Sequence, residues 1–164
     1  MSMHKAFPDP GHDHGQCVED ALSRAEKACG GRGLRLTPLR RRVLEILAQS
    51  HAPVGAYEIV EKLAATGEPA PAMSVYRALD FLTAENLAHR IESRNAFLAC
   101  NAGHERAEPV MFLLCEKCGA VAEMQAVSFG RDVAKATKAA GFEARASIIE
   151  VSGICEPCRK KSRR

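Results

Sequence analysis

Two closely spaced cysteine pairs constrain this sequence more than any other feature. They are Cys115-Glu116-Lys117-Cys118 and Cys155-Glu156-Pro157-Cys158. Two C-x-x-C pairs supply four sulfur ligands, which can close a tetrahedron around one zinc ion. The segment between the pairs is longer than a simple zinc ribbon needs, so we expect a strand, a helix and another strand within it. We therefore predict a structural zinc site at Cys115, Cys118, Cys155 and Cys158.

Other chemistries also use paired cysteines. Disulfides suit a secreted chain, and a redox C-x-x-C needs a thioredoxin-like setting, but the sequence shows neither a signal peptide nor a strand followed by C-x-x-C and a helix. A zinc deaminase needs a His-x-Glu motif upstream of its cysteines, and none occurs. The spacing therefore favours structural zinc.

Length and composition limit the class of protein. The chain has 164 residues, of which 46% are hydrophobic, enough for one ordinary domain or two small ones. No apolar run approaches the roughly 20 residues that span a bilayer. Seven cysteines, an odd number, without a secretory leader indicate a reducing compartment. We therefore expect a cytoplasmic protein.

The first residues are rich in histidine. His4, His12 and His14 could hold a metal ion together with Cys17. Proline and glycine are frequent among the same polar residues, and nothing in the sequence fixes these side chains. We therefore predict a disordered leader over residues 1–16.

Residues 17–100 carry the pattern of a winged helix-turn-helix domain. Apolar residues at helical spacing predict four helices, over Val18–Cys29, from Thr37-Pro38 onward, over Ala56–Ala65 and over Ala72–Asn86. The period then changes to that of a hairpin, with Ala88–Glu92 and Ala96–Cys100 as its strands. A hairpin after compact helices is a winged helix, which predicts a DNA-binding domain.

The remaining residues predict a second, smaller domain. Residues 101–109 are expected to form a hinge, because Asn101, Gly103 and Pro109 break the pattern. Strands are predicted over Val110–Cys115, Ala120–Gln125 and Phe142–Val151, and a helix over Val127–Ala140 with Phe129, Val133 and Ala136 facing inward. We expect an αβ domain over residues 110–158 and a frayed basic tail over residues 159–164. The predicted fold class is α+β.

The charge is unevenly distributed. The net charge of +3 is too small to define a partner. Between Arg24 and Arg42, however, only Glu26 opposes seven basic residues: Arg24, Lys27, Arg32, Arg35, Arg40, Arg41 and Arg42. Such a patch is either an electrostatic footprint for a polyanion or a solvated helix face.

Several short motifs carry a resemblance to a known family. They are Arg35-Leu36-Thr37-Pro38-x-Arg40, Ala56-Tyr57, Val75-Tyr76-Arg77-Ala78-Leu79-Asp80-Phe81-Leu82, His89-Arg90-Ile91-Glu92-Ser93 and both cysteine pairs. With the order of the elements, they resemble the ferric uptake regulator family of bacterial metal-sensing repressors, in particular its zinc-sensing branch. The resemblance covers residues 17–158. It implies a homodimer that binds palindromic operator DNA when loaded with metal and represses metal-uptake genes.

The resemblance also suggests a DNA-reading surface. In a helix-turn-helix the second helix of the motif enters the major groove, and its N-terminal residues face the base edges. Arg77 occupies that region and could form a bidentate contact with guanine. Tyr57 is a second candidate by resemblance, and Tyr76, Ser74 and Arg40 are expected to contact the DNA backbone, which sets register.

A regulatory metal site is implied at the junction of the two domains. Its candidate ligands are His89, Cys100, His104 and Glu123. His104 is the only histidine between Cys100 and Cys115, although the position that matches the family by ungapped count is Glu108. One sulfur, two nitrogens and one oxygen suit zinc better than ferrous iron or manganese. We therefore expect two Zn²⁺ ions per chain, one structural and one regulatory.

Together these observations predict a zinc-responsive repressor that binds operator DNA as a homodimer and has no enzymatic activity. An iron- or peroxide-responsive regulator of the same architecture is the nearest alternative. A zinc-dependent enzyme would need an open metal position and a general base, for which His104-Glu105 is the sole suggestion. A purely structural zinc module that docks other proteins is a further alternative, which operator binding would distinguish.

Overall fold

Helices form the N-terminal part of the protein and a sheet forms the centre of its C-terminal part. The computed structural model describes residues 7, 12–101, 109–145 and 147–162. The helical part consists of α1 (His14–Gly30), α2 (Pro38–Ala48), α3 (Ala56–Ala65) and α4 (Ala72–Ala84), followed by the hairpin strands β1 (Ala88–Ile91) and β2 (Ala96–Ala99). The second part consists of β3 (Val110–Cys115), β4 (Val121–Gln125), α5 (Val127–Ala139), β5 (Ile149–Gly153) and α6 (Glu156–Lys161).

Local capping explains where the first two helices begin. The Asp13 side chain accepts a hydrogen bond from the Gly15 N–H, so α1 begins at His14 and not at Val18 as the sequence suggested. The last three residues of the expected disordered leader are therefore helical. Thr37 caps α2 by accepting from the Arg40 N–H at 3.4 Å, and the following proline has no amide that the helix would need.

The four helices share one apolar core. Its largest fully buried side chains include Leu44, Leu47, Ile59, Leu63, Leu79 and Leu82. The hairpin continues this core through Ala88, Phe97 and Ala99, and its register pairs Ala88 with Ala99 and Ile91 with Ala96. Asn95 closes the turn in the left-handed conformation, with φ of 45°. The predicted winged-helix pattern is therefore present over these residues.

The C-terminal sheet has the strand order β4-β3-β5. The β3–β4 pair is antiparallel, whereas β3 and β5 are parallel and are connected through α5. The predicted strand over Phe142–Val151 was wrong at its start, because β5 begins at Ile149. Its first partner in β3 is Met111, so the residues before it have almost no strand left to pair with.

Helix α5 differs from the expectation that it buries an apolar face within its own chain. None of its residues is buried, and Phe129 is 52% exposed. The predicted inward positions of Phe129, Val133 and Ala136 are therefore incorrect for the single chain. The expected frayed tail also differs, because Arg159–Lys161 belong to α6.

The hairpin packs against the sheet and joins the two parts of the protein. Ile91 and Leu98 from the hairpin form one buried apolar cluster with Phe112, Leu114 and Val121 from the sheet. Backbone contacts reinforce this junction, since the Val121 N–H donates to the His51 carbonyl at 2.8 Å. Most of the predicted hinge, residues 102–108, lies outside the described residues.

None of the helices among the described residues has both the length and the apolar character that crossing a lipid bilayer requires.

Candidate metal centres and nucleic-acid interface

The two cysteine pairs converge at the end of the sheet. Cys115 ends β3, and Gly119, with φ of 77°, turns the chain after Cys118. The second pair lies at the start of α6, where Cys155 is the N-cap residue. All four sulfur atoms lie within 4.8 Å of one another, and Sγ of Cys118 is 3.8 Å from Sγ of Cys155. Thiolates about 2.3 Å from a tetrahedral zinc would lie about 3.8 Å apart, so the set fits zinc.

Backbone hydrogen bonds favour the thiolate form of Cys115, which is the form that binds a metal ion. Burial raises the pKa of Cys115, but hydrogen bonds from the backbone N–H groups of Cys155, Cys118 and Lys117 outweigh it and lower the pKa below the ordinary thiol value. A hydrogen bond with Cys155 instead raises the pKa of Cys158. The pKa of Cys115 is thus lowered and that of Cys158 raised, so without a cation the four sulfurs are not all thiolates. A bound divalent cation would stabilise all four as thiolates.

A second cluster lies where the hairpin meets the sheet. It contains His89 from β1, Cys100 just after β2, and Glu123 from β4, with ligand atoms within 4.8 Å of one another. Nε2 of His89 is 2.9 Å from Oε1 of Glu123, and the Cys100 thiol donates to the same oxygen at 3.7 Å. The predicted neighbour His104 lies outside the described residues. The structure therefore brings together three of the four residues expected at the regulatory site.

The electrostatics of this second cluster favour a cation. The Glu123 side chain is only 2% exposed, so its negative charge requires a nearby positive charge. Burial lowers the pKa of His89, but the contacts with Cys100 and Glu123 outweigh burial and raise the pKa to about 9. In the metal-free protein a proton on His89 balances Glu123. A divalent cation at this position would replace that proton and neutralise the carboxylate.

A third cluster includes part of the expected leader. His12, His14 and Cys17 lie beside His51, which follows α2, and their ligand atoms are also within 4.8 Å of one another. The prediction that the leader histidines have no fixed partners was therefore wrong for His12 and His14, whereas His4 lies outside the described residues. Sequence reasoning missed His51, because only the packing of α1 against α2 brings it to this position.

The predicted DNA-reading residues lie on helices α2, α3 and α4. Tyr57 begins α3 and is 74% exposed, whereas Tyr76 on α4 is 37% exposed. Arg77 is exposed near the start of α4, and Ser74, one turn earlier, is partly buried. This helix follows α3 through a short connection, in the position of a recognition helix. Apolar side chains on its opposite face, among them Val75 and Leu79, fix it in the core.

Three arginines of the basic patch form ion pairs within the protein. Arg32 pairs with Glu85, Arg41 with Glu26, and Arg42 with both Glu45 and Glu68. The guanidinium of Arg40 lies 3.5 Å from the centroid of the Phe81 ring and donates to the Arg35 carbonyl. Three of the seven basic side chains of the patch are therefore paired with carboxylates.

A winged helix and an αβ unit, with one cluster of metal-ligand side chains at their junction and another at the end of the sheet, form the architecture of a metal-dependent transcription regulator. A sequence model of the family described as "Ferric uptake regulator family" matches residues 31–152, so the chain belongs to this family. Members of this family regulate transcription and are not enzymes, which removes the zinc-dependent enzyme as an alternative.

Individual relatives belong to the zinc branch of the family. The chain is 32% identical to the zinc uptake regulation protein of Escherichia coli (strain K12) over 141 residues, which covers 86% of this chain and 82% of the relative. It is similar to a solved zinc uptake regulator in complex with zinc and DNA, with a TM-score of 0.84, 31% identity, and coverage of 90% of this chain and 98% of the other.

Two structures of a third relative differ in their similarity to this chain. Holo XcZur gives a TM-score of 0.79 at 37% identity, covering 87% of this chain and 99% of that one. Apo XcZur gives a TM-score of 0.51 at 35% identity, covering 88% and 99%. The arrangement described here is thus more similar to the holo form of that relative.

Proposed function

We propose that this protein is a zinc-responsive repressor that binds operator DNA as a zinc-loaded homodimer and represses genes for zinc uptake. The observation that carries the proposal is the cluster of His89, Cys100 and Glu123 at the junction between the hairpin and the sheet. Two of these ligands belong to the winged helix and one to the αβ unit. A metal ion held by all three would therefore tie the DNA-reading part to the rest of the chain.

Zinc is favoured over iron by the identity of the donors. Cys100 contributes a thiol within 3.7 Å of a carboxylate oxygen, beside an imidazole. Sites for ferrous iron or manganese rely on imidazole and carboxylate, whereas zinc accepts sulfur, nitrogen and oxygen in one tetrahedron. His104 is proposed as the fourth ligand, and the four-cysteine cluster is proposed to hold the second, structural zinc ion of each chain.

The regulation follows from linkage between two binding events. Glu123 accepts from the Asn101 N–H at 3.1 Å and contacts His89, so these groups from the two parts of the protein lie close together. Zinc supplies a divalent charge that favours this joined arrangement over arrangements in which the domains separate. If only the joined arrangement places α4 correctly on an operator, DNA binding must strengthen zinc binding by the same factor. The greater similarity to holo XcZur than to apo XcZur supports this mechanism.

The exposed face formed by α3 and α4 is proposed to contact DNA. Arg77 is assigned to base reading, because it is exposed near the start of α4 and can donate two hydrogen bonds to guanine. Tyr57 is a second candidate, since its ring projects from the start of α3. Tyr76, Ser74 and Arg40 are assigned to the DNA backbone, and Arg40 would have to leave Phe81 to reach it.

The homodimer is proposed from apolar surface on the αβ unit. Six of its exposed large apolar side chains are Val127, Phe129, Phe142, Ile148, Val151 and Ile154. An amphipathic helix with no buried residue, as α5 is, would normally pack its apolar face against another element. A second copy of the chain could cover this surface and place two α4 helices against one palindromic operator.

One experiment tests zinc identity and responsiveness together. The purified protein is treated with a mild chelator, its metal content is measured, and operator binding is followed by gel shift before and after treatment. We expect the treated protein to keep one zinc ion per chain and to lose operator binding, which Zn²⁺ restores and Fe²⁺ or Mn²⁺ does not. Restoration by Fe²⁺ alone would support the iron-responsive alternative, and undiminished binding after chelation would exclude regulation by the exchangeable metal.

A further inference from the structure

The N-terminal turn of α1 forms a compact group of metal-ligand side chains. Nε2 of His12 lies 3.2 Å from Sγ of Cys17 and 2.8 Å from Nε2 of His51. The ring centroids of His12 and His14 are 4.4 Å apart, and those of His14 and His51 are 5.1 Å apart. Three imidazoles and one thiol thus surround one small volume.

We propose that His12, His14, Cys17 and His51 form a third metal site, separate from the four-cysteine site and the His89 site. The ligand would be a divalent ion of the zinc class, because zinc binds both imidazole and thiolate ligands in tetrahedral sites. Ligands about 2.0–2.3 Å from one ion stand about 3.3–3.8 Å apart. The distances from Nε2 of His12 to Cys17 and His51 would therefore have to lengthen only slightly for these residues to bind one ion.

The polar atoms of this group are poorly satisfied without a cation. Nδ1 of His14 is buried and has no hydrogen-bond partner among the described residues. A buried imidazole nitrogen without a partner is unfavourable, and coordination to a metal would satisfy it.

The surrounding charges also suit a cation. Burial and the neighbouring imidazoles of His12 and His14 lower the pKa of His51 to about 4. Asp13 caps α1, and Asp20 lies one turn beyond Cys17. Burial and these two carboxylates raise the pKa of Cys17. A divalent ion would be attracted by both carboxylates and would favour the thiolate.

His51 belongs to a short segment that connects the two parts of the protein. The carbonyl of His51 accepts from the Val121 N–H in the sheet, and Val54 exchanges two backbone hydrogen bonds with Phe97 in the hairpin. Residues 51–54 thus contact both parts of the protein. A metal at the third site would fasten the start of α1 to this connecting segment.

The third site can be tested without operator DNA. In a His89→Ala/Cys100→Ser background, the four-cysteine site is filled with zinc and the protein is titrated with Co²⁺, whose visible spectrum reports tetrahedral coordination and whose near-ultraviolet band reports a thiolate ligand. We expect one equivalent of Co²⁺ to bind with both features. Adding Cys17→Ser should remove the thiolate band. Adding His51→Gln should weaken Co²⁺ binding by more than about 100-fold, since even outer-shell partners contribute about 10–100-fold.

Controls separate the site from general effects on the fold. Cys29→Ala removes the other cysteine of α1, which is buried and belongs to no ligand cluster among the described residues, and should leave the Co²⁺ spectrum unchanged. Circular dichroism checks that each variant is folded. The proposal is overturned if the background binds no Co²⁺, or if Cys17→Ser and His51→Gln together leave both affinity and spectrum unaltered. Because the readout is metal binding alone, it is independent of whether operator binding responds to zinc.

Discussion

The carboxylate of Glu150 accepts a 2.7 Å hydrogen bond from the backbone N–H of Glu92. A second bond, from the Ser93 N–H, reaches its other oxygen at 3.2 Å. The turn of the hairpin is therefore attached to β5 by an anion that binds exposed backbone donors. This contact joins the two parts of the protein without a metal ion.

Replacing this carboxylate should weaken the attachment. We expect Glu150→Gln to lower the free energy of unfolding by about 1 kcal/mol, because hydrogen bonds to an ionised acceptor become neutral and one acceptor oxygen is lost. Denaturant unfolding measures the change. The matched control is Glu92→Gln, which leaves the backbone donor intact and should change stability by less than about 0.5 kcal/mol. Equal effects of the two substitutions would contradict this role for Glu150.

The proposed regulatory ligand Cys100 can be separated from the structural set by substitution. We expect Cys100→Ser to give a folded dimer that keeps one zinc ion per chain after mild chelation but does not bind operator DNA, because it lacks the thiolate at the junction. Metal analysis, sedimentation and gel shift measure the three properties. Global unfolding of the variant would instead indicate that Cys100 belongs to the structural site.

Arg77 offers a test of base reading. We expect Arg77→Ala to weaken operator binding by about 1–3 kcal/mol and to relax the preference at one base pair. Arg131→Ala, on the exposed surface of α5, should leave affinity nearly unchanged. Gel shifts on a set of single-base operator variants measure both quantities. An equal loss on every sequence would assign Arg77 to the DNA backbone.

The exposed apolar surface of the αβ unit predicts the effect of a substitution in α5. We expect Phe129→Ser to weaken dimerisation by about tenfold or more, or about 1.4 kcal/mol, because an aromatic anchor would be lost from the interface. Sedimentation equilibrium measures the dissociation constant. Met73→Ser, at another exposed apolar position but on α4, is the control and should leave the dimer intact. A dimer unaffected by Phe129→Ser would place the interface elsewhere.

The raised pKa of His89 predicts how zinc binding depends on pH. With a pKa of about 9, His89 is protonated at pH 7, and zinc must displace that proton to bind its nitrogen. Apparent zinc affinity at this site should therefore rise by about tenfold per pH unit between pH 7 and 9 for each proton displaced. Titration calorimetry in buffers of different ionisation enthalpy counts the protons. His89→Gln should lower the number of protons released by about one.

The same shift predicts the stability of the metal-free protein. The folded-state pKa lies above the ordinary value of 6.5, so the His89–Glu123 contact stabilises the fold fully below pH 6.5. This contribution should decline as pH rises toward 9. Chelated protein unfolded by denaturant at several pH values tests the trend, and a variant without Glu123 provides the comparison.

Sequence alone predicted the elements whose signals are local. Helix α3 has the predicted bounds, Ala56–Ala65, because Gly55 and Gly67 flank a clear helical pattern. The start of β5 was predicted too early. Apolar and polar residues alternate from Phe142 to Ile148, but this pattern does not show where the partner strand β3 begins. Strand pairing is a non-local property, and the length of a partner strand cannot be inferred from the pattern of one segment.

The same distinction applies to the sites. The C-x-x-C pairs were predicted because each carries its spacing within four residues, and the structure brings them together. His51 could not be found, since 34 residues separate it from Cys17 and no local pattern marks it as a ligand. The pairing of three arginines of the basic patch could not be predicted for the same reason. Their partners Glu68 and Glu85 lie far along the chain from Arg42 and Arg32.

The contacts of Arg94 connect the hairpin turn with the four-cysteine cluster. Its guanidinium donates to the carbonyl of Gly119 at 2.7 Å and to that of Cys115 at 3.2 Å, both in the loop that carries the first cysteine pair. Any loosening of that loop therefore removes two anchors from the turn. A metal ion bound by the four cysteines would therefore also help to position the tip of the hairpin, through the two carbonyls that Arg94 binds.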